Sequence, residues 1–147
     1  MSLWNKFFGG SGKAERVDYY EEGVALGRQG KHHEALTSLR LALKESPGDP
    51  IVLQQIAIVY TRIGMEDEAM KTYRHVLSRN PGESGAHYGL AFLLLHAGHE
   101  DEAVDHLQAF LARPPATPRA QNHIAYARST LLDILGEDTL AQARPSA

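Results

Sequence analysis

The same residue types recur at intervals of 34 positions along this chain, and this repetition limits the folds that it can adopt. Three sets of residues keep the register: Gly30, Gly64 and Gly98; Ala35, Ala69 and Ala103; and Pro47, Pro81 and Pro115. A fixed period of this length is typical of stacked supersecondary units, each of which buries its apolar side only against its neighbours. The pattern therefore predicts a repeat architecture. Such stacks usually present surfaces to other molecules, so we expect a binding module rather than an enzyme.

Each unit reads as a pair of helices, as the middle unit, residues 50–83, illustrates. Apolar residues at helical spacing, such as Ile56 and Tyr60, run up to Gly64, and glycine ends a helix in the left-handed conformation at least cost. The second helix opens with three acidic residues, whose charge complements the positive helix N-terminus, so capping explains them better than metal binding. It stops before Pro81, because proline cannot continue a helix.

The motif of the middle unit resembles the tetratricopeptide repeat. It reads Ile56-Ala57-x-x-Tyr60-x-x-x-Gly64-x-x-x-x-Ala69-x-x-x-Tyr73-x-x-Val76-x-x-x-x-Pro81. The resemblance implies an all-α, right-handed α-solenoid of three helix-turn-helix repeats plus a C-terminal capping helix. We expect the repeats at 16–49, 50–83 and 84–117 and the capping helix at 118–135, where Thr117–Pro118 reads as an N-cap followed by a first-turn proline. Residues 136–147 are expected to be a disordered tail.

The resemblance also implies a peptide-binding groove lined by the first helix of each unit. The groove side chains, carried over position by position, are Tyr20, Val24, Arg28, Gln54, Ile58, Arg62, Tyr88, Phe92, Leu95, Asn122 and Tyr126. The third unit stands out because Leu90–Leu95 is apolar on every face of a helix. Apolar surface left over in the groove is typical of a binding site. The alternatives are that the capping helix or a second subunit covers it.

The chaperone-binding members of this family hold a C-terminal carboxylate with Lys, Arg and Asn at particular groove positions. In this chain those positions carry Tyr20, Val24, Gln55, Gly85 and Gly89, none of which supplies a cation. The sequence therefore predicts an apolar helix or an extended segment with aromatic anchors as the ligand, rather than a chaperone tail.

A second candidate element, residues 1–15, precedes the repeats. Its Leu3, Trp4, Phe7 and Phe8 fall on one side of a short helix, and the glycine-rich run that follows reads as a flexible linker. A helix this short is not stable alone in water, so the segment is expected to be disordered or bound. Its partner could be a membrane surface, another protein, or a groove of this chain, of which a plain cap on the first repeat is the simplest case.

Charge and composition exclude several function classes. The net charge is −3, and residues 1–17 carry +2, which leaves −5 for the remainder and argues against nucleic acid. The absence of cysteine rules out disulfides and Cys-based zinc sites, but leaves the compartment open. No apolar run is long enough to span a membrane or to form a secretory signal, so a cytoplasmic protein is expected, membrane-peripheral if residues 1–8 bind a bilayer. Gly98 breaks the helix between His96 and His99, which disfavours a metal site there.

The sequence thus predicts a non-enzymatic adaptor or scaffold that needs no cofactor or metal and binds a protein or peptide partner. No nucleophile–base arrangement suggests catalysis. Two alternatives from other classes remain: a membrane-peripheral localisation factor held by its N-terminal segment, and a structural protein that self-associates when that segment docks on another copy.

Overall fold

The computed structural model describes residues 17–136, which form seven α-helices and no strand. In chain order these are α1 (Tyr19–Arg28), α2 (His32–Glu45), α3 (Pro50–Arg62), α4 (Glu66–Arg79), α5 (Ser84–His96), α6 (Glu100–Ala112) and α7 (Ala120–Leu135). The all-α prediction is confirmed. The predicted N-terminal segment with Leu3, Trp4, Phe7 and Phe8 lies outside the described residues, as does the tail from residue 137 onward.

Glycines end the first helix of each pair, as predicted. Gly64 has a φ of 81°, a conformation that a Cβ atom would strain, and the N–H of Met65 donates to the Tyr60 carbonyl oxygen at 2.9 Å. The turns at Gly30 and Gly98 repeat this geometry with φ angles of 79° and 84°. The 34-residue register therefore has a direct cause in the backbone, because each unit needs one left-handed residue at the same place.

The predicted cap and first residue of α3 are confirmed, but the start of the last helix differs from the prediction. The Asp49 side chain accepts a hydrogen bond from the Ile51 N–H at 2.9 Å and caps α3, whose first residue is Pro50. Helix α7 begins at Ala120 instead of residue 118, because the preceding residues form a tighter turn. In that turn the Ala120 N–H donates to the backbone carbonyl of Thr117 at 3.1 Å and to its hydroxyl at 3.3 Å.

The hydrophobic core is divided into three clusters that follow one another along the stack. The first cluster joins α2 to α3, the central cluster joins α3 through α6, and the third joins α5, α6 and α7. Within each pair an alanine of the second helix is fully buried where the two helices approach: Ala35, Ala69 and Ala103. Each cluster holds neighbouring units together, as a stack of repeats requires.

Helices α4 and α5 approach closely at a glycine. The ring of Tyr73 on α4 lies over Gly89 of α5, and a Cβ added to that glycine would lie 2.8 Å from the ring carbon Cε2. Burial raises the pKa of the Tyr73 hydroxyl to about 12. Because the Tyr73 ring fills the space beside Gly89, a side chain at position 89 would separate the second and third helix pairs.

In the described part of the chain, no helix combines the length and the apolar character needed to cross a bilayer.

Candidate functional site

The first helices of the pairs stand side by side and present one common face. Helix α1 contacts α3, α3 contacts α5, and side chains of α5 stack on those of α7. On α3 this face carries Ile51, Gln54, Ile58 and Arg62, whose spacing of three or four residues puts them on one side of the helix. We call the surface formed by this side of α3 and the matching sides of α1, α5 and α7 the first-helix face.

A cavity of about 160 Å³ lies on this face between α1 and α3. Four of the predicted groove residues line it, namely Val24, Arg28, Ile58 and Arg62. The sequence prediction missed a further wall residue, Arg119, which reaches the same cavity from the turn before α7. We refer to this space as the arginine cavity.

Two glycines form part of the α1 wall of the arginine cavity. Both Gly23 and Gly27 line it, and both are buried. A Cβ on Gly23 would lie 2.6 Å from Leu39 Cγ, so this glycine lets α1 approach α2. A Cβ on Gly27 would meet nothing nearer than 3.8 Å, so here glycine leaves open space in the cavity instead.

Three arginines line the arginine cavity, and within residues 17–136 none of them forms an ion pair with a carboxylate. Arg62 Nη1 donates a long hydrogen bond of 3.5 Å to the Gly27 carbonyl oxygen. Among residues 17–136, the ion pairs within 4.0 Å join Arg74 to Glu102, His96 to Glu66 and His106 to Glu102. None of them uses Arg28, Arg62 or Arg119, so the guanidinium groups at the cavity remain available to an anion from outside the described chain.

An aromatic cluster occupies the α5–α7 end of the same face. The ring of Tyr88 lies 4.6 Å from that of His123 and 5.0 Å from that of Phe110, measured between ring centroids, and Phe92 stacks on Tyr126 at 4.9 Å. Burial, with a smaller effect from Tyr126, raises the pKa of the Tyr88 hydroxyl. Helix α7 therefore covers part of the surplus apolar surface of α5. Tyr126 itself stays 59% exposed.

The remaining predicted groove residues have different surroundings. Tyr20 is half-buried against the first core cluster, and burial raises its pKa. The Gln54 amide donates to Glu83 Oε2 at 2.9 Å and thereby ties α3 to the start of α5. Leu95 packs between the central and third clusters, and Asn122 is exposed. A ligand-binding role for these four side chains stays a prediction. Gln54 and Leu95 also contribute to the contacts between helices.

A histidine pair lies at the junction of α5 and α6, outside the predicted groove. His87 Nε2 lies 2.7 Å from the Pro81 carbonyl oxygen, which can only accept, so Nε2 donates. When His87 carries a single ring proton, at Nε2, its Nδ1 accepts from His106 Nδ1–H, at 2.9 Å. Burial, and next the proximity of His87, lowers the pKa of His106.

The turn that the sequence singled out for its two histidines does not assemble a metal site. His96 Nδ1 lies 2.8 Å from Glu66 on α4, which makes it part of a surface contact between units. Across residues 17–136, no three His, Asp or Glu side chains are grouped so that they could hold a metal ion.

Comparison with known proteins agrees with this architecture. The family model for the tetratricopeptide repeat matches residues 64–125. No match was found among curated protein sequences.

Three solved structures illustrate the likeness of fold. PcrH, solved in complex with the chaperone binding region of PopD, is 18% identical with a TM-score of 0.70, over 79% of this chain and 87% of that one. The first TPR of Spaghetti (RPAP3), bound to the HSP90 peptide SRMEEVD, is 19% identical with a TM-score of 0.65, over 77% and 90%. MamA is 24% identical with a TM-score of 0.61, and the alignment covers 65% of this chain but only 56% of MamA.

Proposed function

We propose that this tetratricopeptide repeat protein is a non-enzymatic adaptor that recruits or assembles partner proteins through its first-helix face. Proteins of the same fold have been solved with a protein segment or peptide bound, namely PcrH with the chaperone binding region of PopD and Spaghetti with an HSP90 peptide. The observation that carries the proposal for this chain is that exposed apolar side chains and a cavity share one face.

Two large apolar side chains on this face are exposed to solvent. Ile51 is 58% exposed and lies seven residues before Ile58 on the same side of α3. Tyr126 on α7 is 59% exposed and stacks on Phe92. Exposed apolar patches often mark interaction sites, and tyrosine is enriched among the residues that contribute most binding energy to protein interfaces. They support an apolar, tyrosine-lined groove as the docking surface.

The test compares two double variants of the full chain by affinity co-purification from the source cell. The first, Ile51→Ser with Tyr126→Ser, removes apolar side chains from the first-helix face. The second, Leu41→Ser with Met65→Ser, is the matched control, because these residues are 39% and 44% exposed and belong to α2 and the turn before α4. The partner recovered by the wild type should be kept by the control and lost by the first variant. Recovery of the same partner by a first variant with unchanged helicity would contradict the proposal.

The location of the protein and the role of its N-terminal segment form a separate proposal, which rests on the sequence. Leu3, Trp4, Phe7 and Phe8 suit a cytoplasmic protein that attaches to a membrane surface or to a second copy of the chain. Trp4→Ala with Phe7→Ala should shift the protein from the membrane fraction to the soluble fraction. If fractionation is unchanged and light scattering shows the same mass at every concentration, neither attachment occurs.

A further inference from the structure

We propose that the arginine cavity binds the side-chain carboxylates of an internal acidic segment of the partner. This inference rests on the proposed adaptor function and adds the chemical class of ligand. It differs from the sequence expectation of a purely apolar ligand, because the structure brings three arginines to one cavity on the first-helix face.

The positive charge at the cavity is a local arrangement. Arg28 comes from α1, Arg62 from α3 and Arg119 from the turn before α7, so three elements distant in sequence supply one arginine each. The chain from residue 18 onward carries a net charge of −5, so these arginines do not reflect a general excess of cations. Guanidinium groups bind carboxylates through two parallel hydrogen bonds, which makes an acidic side chain the matching ligand.

The dimensions of the cavity fit one acidic side chain. A volume of about 160 Å³ corresponds to about five water molecules at roughly 30 Å³ each. A glutamate side chain likewise has five non-hydrogen atoms. Val24 and Ile58 would contact its methylene groups while the arginines contact its carboxylate. All three arginines are exposed as well as lining the cavity, so they can also pair with the neighbouring acidic residues of the same segment.

A terminal carboxylate is the less suitable source of negative charge. The positions that would hold a chain terminus in the chaperone-binding pattern carry Tyr20, Val24, Gln55, Gly85 and Gly89, which provide no cation. Three separate arginines suit several carboxylates spread along a segment better than a single chain end.

Fluorescence anisotropy on the full chain tests the inference with three labelled peptides of equal length. The acidic probe carries four glutamates among leucines and is blocked at both ends. The neutral probe has glutamine in place of each glutamate and is also blocked at both ends. The third probe has the sequence of the neutral probe but a free C-terminal carboxylate. The acidic probe should bind at least tenfold more tightly than the other two, and added NaCl should weaken its binding.

Variants of the arginines separate the cavity from the surface as a whole. Arg62→Gln and Arg28→Gln should each weaken binding of the acidic probe about tenfold, the loss of one charge-assisted contact. Arg113→Gln is the matched control, because Arg113 is an exposed arginine at the end of α6 that does not line the cavity. Its affinity should equal that of the wild type.

Several results would overturn the inference. The cavity does not bind carboxylates if the wild type has equal affinity for the acidic and neutral probes. The same conclusion follows if the Arg28→Gln, Arg62→Gln double variant binds the acidic probe as tightly as the wild type does. If the probe with the free C-terminus binds most tightly, the cavity binds the end of a chain and not an internal acidic segment. If this double variant still retains the partner that the Ile51→Ser, Tyr126→Ser variant loses, the adaptor function stands and only the acidic ligand is wrong.

Discussion

Gly89→Ala tests whether close packing at one glycine fixes the spacing of the repeats. The new Cβ would lie 2.5 Å from the hydroxyl oxygen of Tyr73 and 2.8 Å from its Cε2, far inside ordinary van der Waals contact. Tyr73 is only 4% exposed, so its ring cannot turn away into solvent. We therefore expect the substitution to force α4 and α5 apart.

The size of the effect follows from two opposing contributions. Alanine gains about 1 kcal/mol over glycine within a helix. Inserting a methyl group into a filled core costs about 1–3 kcal/mol, and a clash with a rigid ring belongs at the upper end. The net loss should be about 1–2 kcal/mol, which lowers the melting temperature by roughly 3–8 °C in a chain of this size.

Gly27→Ala is the matched control, because it adds the same methyl group to a helical glycine with room around it. Its Cβ would lie 3.8 Å from Arg62 Nη1 and 4.0 Å from Ala35 Cβ, which are ordinary contacts. This variant should be about 0.5–1 kcal/mol more stable than the wild type. Urea unfolding followed by circular dichroism measures both variants. A Gly89→Ala protein as stable as Gly27→Ala would refute the close packing of Tyr73 on Gly89.

Three further predictions concern other contacts. Burial lowers the pKa of folded His106 below 6.5, so the unfolded chain takes up a proton at this histidine at higher pH than the folded protein does. The stability of the wild type should therefore fall as the pH drops below about 6.5. Between about pH 7.5 and about pH 5, the melting temperature of His106→Gln should fall by less than that of His75→Gln, the control at an exposed histidine. Gly64→Ala forces a Cβ into the left-handed region and should cost about 1–2 kcal/mol in urea unfolding. Tyr126→Ala removes the stack on Phe92 and should cost about 0.5–1.5 kcal/mol by the same measurement; no loss would show that the stack adds nothing.

Local features of the fold were predictable because they depend on neighbouring residues. The helix ends at Gly30, Gly64 and Gly98 and the cap at Asp49 follow from backbone geometry and short-range hydrogen bonds. The start of α7 was predicted two residues early, since Pro118 suits both the first turn of a helix and a tight turn before it. Sequence alone does not decide between these two conformations.

The candidate site was predictable by helix face but not by contact. The 34-residue register puts Arg119 two repeats after Ile51, and so on the first-helix face, yet its reach into the α1–α3 cavity depends on how the stack packs. Likewise, the contact of Gln54 with Glu83 and the stack of His123 on Tyr88 depend on tertiary distances. The sequence could therefore name the surface but not its charge pattern.

The division of the core into three clusters determines how the chain should open in solution. Helices α3 to α6 share the central cluster, whereas α1 and α7 pack only at the ends of the described stack. Opening an end unit breaks one interface, but opening a central unit breaks two. Amide hydrogens of α7 should therefore exchange with deuterium by local fraying, while those around Leu90 and Leu94, both fully buried, should exchange only when the whole chain unfolds.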